Sequence, residues 1–336
     1  MRILITAPYN EEGQRVLAET FGEIIYKPWK PHGRAYNEEE LIALLGETKA
    51  EALITEHDHV TARVIEAYPD LQFIGVCRGT PSNVSLDTAS QKGIPVFYTP
   101  ARNAQAVAEM FIANVITLMR NTIAAIHWLE EQKWEVGAHT SYLQFKGNEL
   151  AGKTIGIVGF GAIGQLIAKL VENFPCEICY YDPYFTSENK DYRKTTLEDV
   201  FENSDIVSIH LPENKSTKGM IDKKLFSKMK NDAIFVNTAR ASVVDREHLL
   251  EVLENKKIRG AVLDVFDNEP PDELDYKLIH LSQVVATPHI AGATHEVEEH
   301  HVKIMNRNLI NWFQSKNGKE SFVANLQKGE RVRERE

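Results

Sequence analysis

Residues 154–174 read TIGIVGFGAIGQLIAKLVENF: an apolar strand runs into three glycines and then into an amphipathic helical pattern. Gly159, Gly161 and Gly164 are spaced G-x-G-x-x-G. That spacing permits a tight strand-to-helix turn, close approach of the backbone to a pyrophosphate, and close helix–strand packing, while the helix N-terminus supplies positive potential. The glycines alone would also suit a turn in a cofactor-free sheet. Here the strand precedes them, the helix follows, and Asp182 ends the next strand-like run, EICYYD, 18 residues after Gly164. A carboxylate at that place accepts adenosine ribose hydroxyls and repels a 2'-phosphate. The segment therefore predicts a parallel α/β domain that binds NAD in preference to NADP.

A chain of 336 residues exceeds what one hydrophobic core usually organises, so two domains are expected. The first hundred residues alternate apolar runs and helical patterns: RILITAP, EEELIALLGE, EALIT, TARVIEAYPDL, QFIGVC, GIPVFYT. Strands separated by helices imply a parallel sheet with right-handed crossovers. A long helix is expected from Asn103 to about Gln132 with a small-residue face, followed by a polar connection, WEVGAHTSYLQFKGNELAG. A second set of strands then starts: TIGIVGFG, EICYYD, DIVSIHLP, AIFVNTAR, GAVLDVF and VVATPH. Ligands of open parallel sheets lie beyond the carboxyl ends of the strands. Gly159, Asp182, His210, Arg240, Asp264 and His289 should thus line one rim. A last helix from about Thr294 to Gln314 is expected to pack back on the N-terminal part, and residues 327–336 read as a solvated tail.

The net charge of -10, with no Lys/Arg stripe beyond the terminal RVRERE, argues against a nucleic-acid partner. MRILITAPYN lacks the layout of a signal peptide and no apolar run reaches the ~20 residues of a membrane span, so a cytoplasmic protein without a membrane partner is expected. The three cysteines do not suggest a disulfide framework. Cys176 and Cys179 form a C-x2-C with no second ligand pair at zinc-finger spacing, and packing is the better reading. HEVEEHH, from His295 to His301, lacks the H-E-x-x-H spacing, and EHDH, Glu56 to His59, suits a pocket or loop better than a metal. No metal site is expected.

Reduction of a 2-oxo acid needs a hydride donor, a cation for the carboxylate and carbonyl, and an acid for the new alkoxide. Arg240 offers planar, forked donors for the second task. His289 suits the third, because imidazole titrates near neutrality. Glu269 can orient the ring through its distal nitrogen and tune it. Taken singly, Arg240 also reads as a surface ion pair, His289 as a loop residue after a proline, and Glu269 as part of an acidic turn. Their common placement at strand ends beside the glycine turn favours the catalytic reading.

ELAGKTIGIVGFGAIG, YYDPY, SDIVSIHLPENKSTKGMI, FVNTARASVVDREHLLEVLENKKIRGAVLDVFDNEP and ATPHIAGAT occur in that order. With these motifs the chain resembles the D-isomer-specific 2-hydroxyacid dehydrogenases, the family of phosphoglycerate, glyoxylate/hydroxypyruvate and D-lactate dehydrogenases. The resemblance implies an α/β fold of two Rossmann-like parallel-sheet domains. One is a discontinuous, flavodoxin-like substrate domain, residues 1–100 with 294–326, and the other an NAD-binding domain, 101–293. It implies a catalytic trio of Arg240, Glu269 and His289, with Asp264 near the nicotinamide amide. The implied cofactor set is Val107, Gly159, Gly161, Ala162, Ile163, Gly164, Asp182, His210, Leu211, Pro212, Thr217, Thr238, Ala239, Arg240, Asp264, His289 and Gly292. A homodimer built on the long helix, domain closure that excludes water, and a small 2-hydroxy or 2-oxo acid substrate are also implied.

The chain departs from the family where G-R-A-G-T-G-x-D-N becomes GVCRGTPSN, Gly75 to Asn83. Val76 stands where the family has arginine, and Arg78 brings a cation two positions later. The substrate set implied here is Cys77, Arg78, Gly79 and Arg240, with loop amides cradling a carboxylate. Arg78 either recognises a second anionic or hydroxylated group of the substrate or turns outward to an acidic neighbour. Two other functions fit the same scaffold: an NAD(H)-binding sensor of corepressor type, and a phosphite-type dehydrogenase. The identity of the 2-hydroxy acid does not follow from the sequence.

Overall fold

A computed structural model describes residues 1–134, 140–314 and 321–325. The chain forms two compact units, one of Met1–Asn103 with the chain from Thr294, the other Ala104–Ala293.

In unit 1, β1 (Arg2–Ile5), α1 (Glu11–Phe21), β2 (Glu23–Tyr26), α2 (Glu38–Thr48), β3 (Ala52–Thr55), α3 (Ala62–Ala67), β4 (Ile74–Val76), α4 (Leu86–Lys92) and β5 (Val96–Tyr98) alternate along the chain. The five strands pair in parallel in the order β2-β1-β3-β4-β5. Successive side chains of a strand face opposite sides. Leu4 and Leu53 accordingly join Leu41, Leu45 and Val64 on one face, while Ile3, Ile5 and Ile54 join Leu17, Met305 and Leu309 on the other. The last two come from the C-terminal helix of the chain, which lies on this unit.

Unit 2 contains α5 (Ala104–Met119), α6 (Thr122–Glu130), α7 (Thr140–Gln144), β6 (Thr154–Val158), α8 (Ala162–Val171), β7 (Glu177–Tyr181), β8 (Tyr192–Lys194), α9 (Leu197–Asn203), β9 (Ile206–Ile209), α10 (Lys223–Phe226), β10 (Ile234–Asn237), α11 (Arg246–Glu254), β11 (Gly260–Leu263), α12 (Glu273–Ile279) and β12 (Val284–Ala286). The chain then returns to unit 1 as α13 (Glu296–Gln314). Seven parallel strands run β12-β11-β10-β9-β6-β7-β8. The chain reverses its direction of travel between β6 and β9, the switch point at which open sheets hold dinucleotides. Phe111 and Val115 of α5 and Ile167 of α8 cover one face. Phe201, Leu249 and Leu253 cover the other.

Four details differ from the sequence reading. First, α1 and β2 were not anticipated. EEGQRVLAETF buries only Gly13 and Leu17, and its start is fixed by the Asn10 side chain, which accepts from Gly13 N at 2.7 Å. Second, the single helix expected over 103–132 is two, bent by 63° where Asn121 takes φ 54. A left-handed residue cannot continue a right-handed helix, and asparagine tolerates that region. Third, β8 is a short, largely exposed edge strand, YRK, without an apolar pattern to reveal it. Fourth, the polar connection contains the short α7, and the expected tail, 327–336, lies outside the described residues. Among the described residues no single helix is long and apolar enough to cross a membrane.

Candidate active site

The glycine turn joins β6 to α8. Gly159 has φ +92, and a Cβ there would lie 2.6 Å from His210 O. At Gly164 a Cβ would lie 2.5 Å from Gly159 O, inside the turn itself. A side chain at either position would push the backbone apart. Gly161 is the N-cap of α8, no side chain caps it, and its face is open, with nothing within 4 Å of a built Cβ. The first amides of α8 therefore have no side-chain cap. Asp182, at the end of β7, accepts from Phe160 N at 2.8 Å through Oδ2 and from Tyr184 N and Phe185 N at 2.8 and 2.9 Å through Oδ1. It ties the glycine turn to the neighbouring strand and keeps one acceptor site, on Oδ2.

The other candidate cofactor residues follow the ends of adjacent strands, except Val107, which is buried in α5. Ala162 and Ile163 open α8. Leu211, Pro212 and Thr217 follow β9, where Thr217 Oγ1 donates to Pro212 O at 2.6 Å and shapes the loop. Thr238 and Ala239 follow β10, and Gly292 follows β12. Two buried polar atoms here have no partner among the described residues, Thr238 Oγ1 and His210 Nδ1. His210 Nε2 lies 2.8 Å from Ser208 Oγ, and desolvation pushes the ring pKa down to about 3, so it is neutral at physiological pH although the residue is only half-buried. Buried polar atoms left unpaired cost free energy unless a ligand completes them. The open glycine turn, the uncapped helix and these orphans fit a bound dinucleotide.

His289 lies in the loop after β12 with φ 53. Its Nδ1 is 2.9 Å from both Oε1 and Oε2 of Glu269, and both residues stay about half exposed. The loop that holds His289 is pinned by Asp264, fully buried at the end of β11. Asp264 Oδ1 accepts from Thr287 Oγ1 at 2.6 Å and Ile290 N at 2.8 Å, and Oδ2 from Ala291 N at 2.9 Å. The left-handed backbone of a histidine persists because its neighbours are held from below. Arg240 follows β10 in a turn made by Asn237, whose Nδ2 donates to Arg240 O at 2.9 Å and whose Oδ1 accepts from Ala239 N at 3.0 Å. Arg240 Nη1 donates to Ala239 O at 2.6 Å, and no carboxylate among the described residues pairs with this exposed guanidinium. A surface ion pair therefore does not account for it.

The candidate substrate loop belongs to unit 1 and follows β4. Cys77 N donates to Thr55 O at 2.8 Å, so its amide is committed to the sheet, which corrects its place in the carboxylate cradle. Its side chain is buried, and desolvation pushes the thiol pKa well up. Arg78 is half-buried, with its carbonyl accepting from Thr99 N at 2.9 Å. Gly79 is exposed. In EHDH, Asp58 accepts from Thr6 and Thr55 hydroxyls and from Tyr36 N, a loop-building role, while Glu56 pairs with Arg102 at 2.7 Å. Of the C-x2-C pair, Cys179 is buried beside Ser204 and Cys176 donates to Leu150 O.

The model for the family described as "D-isomer specific 2-hydroxyacid dehydrogenase, NAD binding domain" matches residues 112–291, more than half of the chain. The chain belongs to this family. The dehydrogenase is 57% identical over 312 residues to YoaD of Bacillus subtilis (strain 168), which carries the name of a 2-hydroxyacid dehydrogenase; the match covers 93% of this chain and 91% of that one. It is 38% identical over 261 residues to the hydroxypyruvate reductase of Thermotoga maritima, covering 77% and 83% of the two. A solved D-2-hydroxyisocaproate dehydrogenase shares its fold at TM-score 0.81 with 24% identity, covering 97% of this chain and 100% of that one. The dehydrogenase is thus an NAD-dependent oxidoreductase with the two-domain architecture of its family.

Two residues that shape the site are not marked by the sequence reading, Asn237 and Thr287. Asn237 had a local signal, since Asn often hydrogen-bonds the backbone two residues on. Thr287 bonds to a partner more than twenty residues away, and no spacing rule points to it.

Proposed function

We propose that this dehydrogenase interconverts a small D-2-hydroxy acid and its 2-oxo acid through Arg240, Glu269 and His289. The observation that carries the reading is the contact of His289 Nδ1 with both oxygens of Glu269 at 2.9 Å, on a loop held by buried Asp264. Bound NADH supplies the hydride. With Glu269 as a carboxylate accepting a hydrogen bond from Nδ1–H, Nε2 is left to exchange a proton with substrate. In reduction the imidazolium gives its Nε2 proton to the alkoxide formed at C2. In oxidation the neutral ring takes the hydroxyl proton back, and Glu269 holds the resulting cation in orientation. Arg240, without a carboxylate partner among the described residues, binds the substrate carboxylate and polarises the carbonyl.

NADH consumption against glyoxylate, hydroxypyruvate, phosphohydroxypyruvate, pyruvate and sugar-derived 2-oxo acids tests this. Turnover of at least one supports it. NADH binding without any turnover would favour a sensor, and reduction of NAD+ by phosphite, measured separately as NADH formed, a different dehydrogenase. Within the panel, Arg78→Ala is expected to cut kcat/KM about tenfold for acids with a second anionic or hydroxylated group and to leave pyruvate within about twofold. An equal loss across the panel would remove Arg78 from specificity.

A homodimer also belongs to this reading. Ile123, Ile126 and Leu129 of α6 and Tyr142 and Leu143 of α7 are exposed, an unusual concentration of large apolar side chains on surface helices. A second copy covering them is expected to give the mass of two chains by light scattering, and Ile126→Glu with Leu129→Glu the mass of one. A single-chain mass for the unaltered protein would refute the dimer.

A further inference from the structure

Glu269 sits in the loop between β11 and α12, and the rest of that loop is gathered on one guanidinium. Arg246, the first residue of α11, reaches Asp267 Oδ2 through Nε at 2.9 Å. Its Nη2 lies 2.9 Å from Asp272 Oδ2, and its Nη1 donates to Asp275 Oδ1 at 2.9 Å and to Asp272 Oδ1 at 3.0 Å. All three nitrogens are used. Asp267 precedes Glu269 by two residues and Asp272 follows it by three, so the contacts grip both sides of the segment. Inside the clamp, Asp275 Oδ2 accepts from Asn268 N and Asp272 N, and Asn268 Nδ2 donates to Asp272 Oδ2 at 2.7 Å. Glu269 takes part in none of these bonds, and its carboxylate goes to His289.

Three carboxylates converge on this one guanidinium, so removing its charge would leave them facing one another with the cation gone. Arg246 holds the Asp272 carboxyl at about 2. Asp267 is raised by burial, against Arg246 and with Asp275 and Asp272 adding to the rise, while Lys218 opposes it more weakly. A lysine carries the charge but lacks the planar fork that reaches three partners at once. A catalytic pair on loops depends on such support, since displacement by about 1 Å is enough to break it.

We propose that Arg246 is a positioning residue of the reaction, clamping the 267–275 segment so that Glu269 meets the His289 ring; this rests on the catalytic reading of Glu269 and His289 above. The test uses the full-length protein and the fastest 2-oxo acid of the panel. Arg246→Gln is expected to lower kcat about tenfold or more, with KM for NADH within about twofold of the parent. Hydrogen exchange of the 265–276 peptide is expected to speed up while peptides elsewhere keep their rates, and Arg246→Lys is expected to recover part of kcat. The deciding arm is the double variant with Glu269→Gln. A clamp that acts through Glu269 adds less than about twofold in that background. An undiminished effect of Arg246→Gln there, or a kcat for Arg246→Gln alone close to the parent's, would overturn the proposal. Should Arg246→Gln not fold, Asp267→Asn releases one side of the clamp and is read in the same way. If Glu269→Gln by itself leaves kcat unchanged, the catalytic reading of Glu269 falls and the clamp with it. If Glu269→Gln is impaired and Arg246→Gln is not, only the clamp falls.

Discussion

His289→Asn is expected to lower kcat for 2-oxo acid reduction about a thousandfold, the middle of the range for loss of a general acid, or about 4 kcal/mol in the barrier. Asparagine is the informative replacement. His289 has φ 53, a region that asparagine tolerates and alanine does not, so the loop pinned by Asp264 keeps its path. Asparagine also cannot exchange a proton near neutrality. Because His289 is half exposed, its loss removes little packing, and stability should change by no more than about 0.5 kcal/mol. NADH affinity, measured by fluorescence, should stay within about twofold. A kcat near that of the parent would remove His289 from proton transfer. A collapse of NADH affinity in step with kcat would point to a cofactor role instead.

Arg240→Gln is the second large effect. The guanidinium has no carboxylate partner among the described residues and is held only by Ala239 O, so its charge is available to a substrate. Removing one preorganised donor to a developing oxyanion costs about two to three orders of magnitude. Here the same group also binds the carboxylate. kcat/KM for the 2-oxo acid should therefore fall about a thousandfold or more, with KM for the acid rising and KM for NADH held. Arg240→Lys should restore only part of this, because an ammonium cannot form the bidentate pair. A loss confined to KM for NADH would assign Arg240 to the cofactor alone.

How far the sequence reached depends on the range of the interactions involved. The βα turn at Gly159–Gly164 and the polar residues closing each strand are local patterns, and in a parallel sheet local order along each strand places those residues at one end. That is why Asp182, His210, Arg240, Asp264 and His289 were all legible as residues of one sheet edge. Asp264 reads from the sequence as a cofactor residue, and the structure adds that its oxygens hold the His289 loop through partners 23 to 27 positions away. Glu269 looked like one acid among several in DNEPPDELD. It is distinguished only by what its neighbours do, since Asp267, Asp272 and Asp275 turn to Arg246 and leave it to the histidine. In unit 1, Cys77 illustrates the opposite error: a motif position suggested a free amide, and the register of β3 with β4 had already used it.

The most direct test is reduction of hydroxypyruvate or pyruvate with NADH carrying deuterium at both C4 positions, with the product examined for isotope position and configuration. Direct hydride transfer in a D-specific dehydrogenase predicts one deuterium at C2 of the D-2-hydroxy acid for every NADH consumed. Product without deuterium at C2, or the L-hydroxy acid, would contradict it.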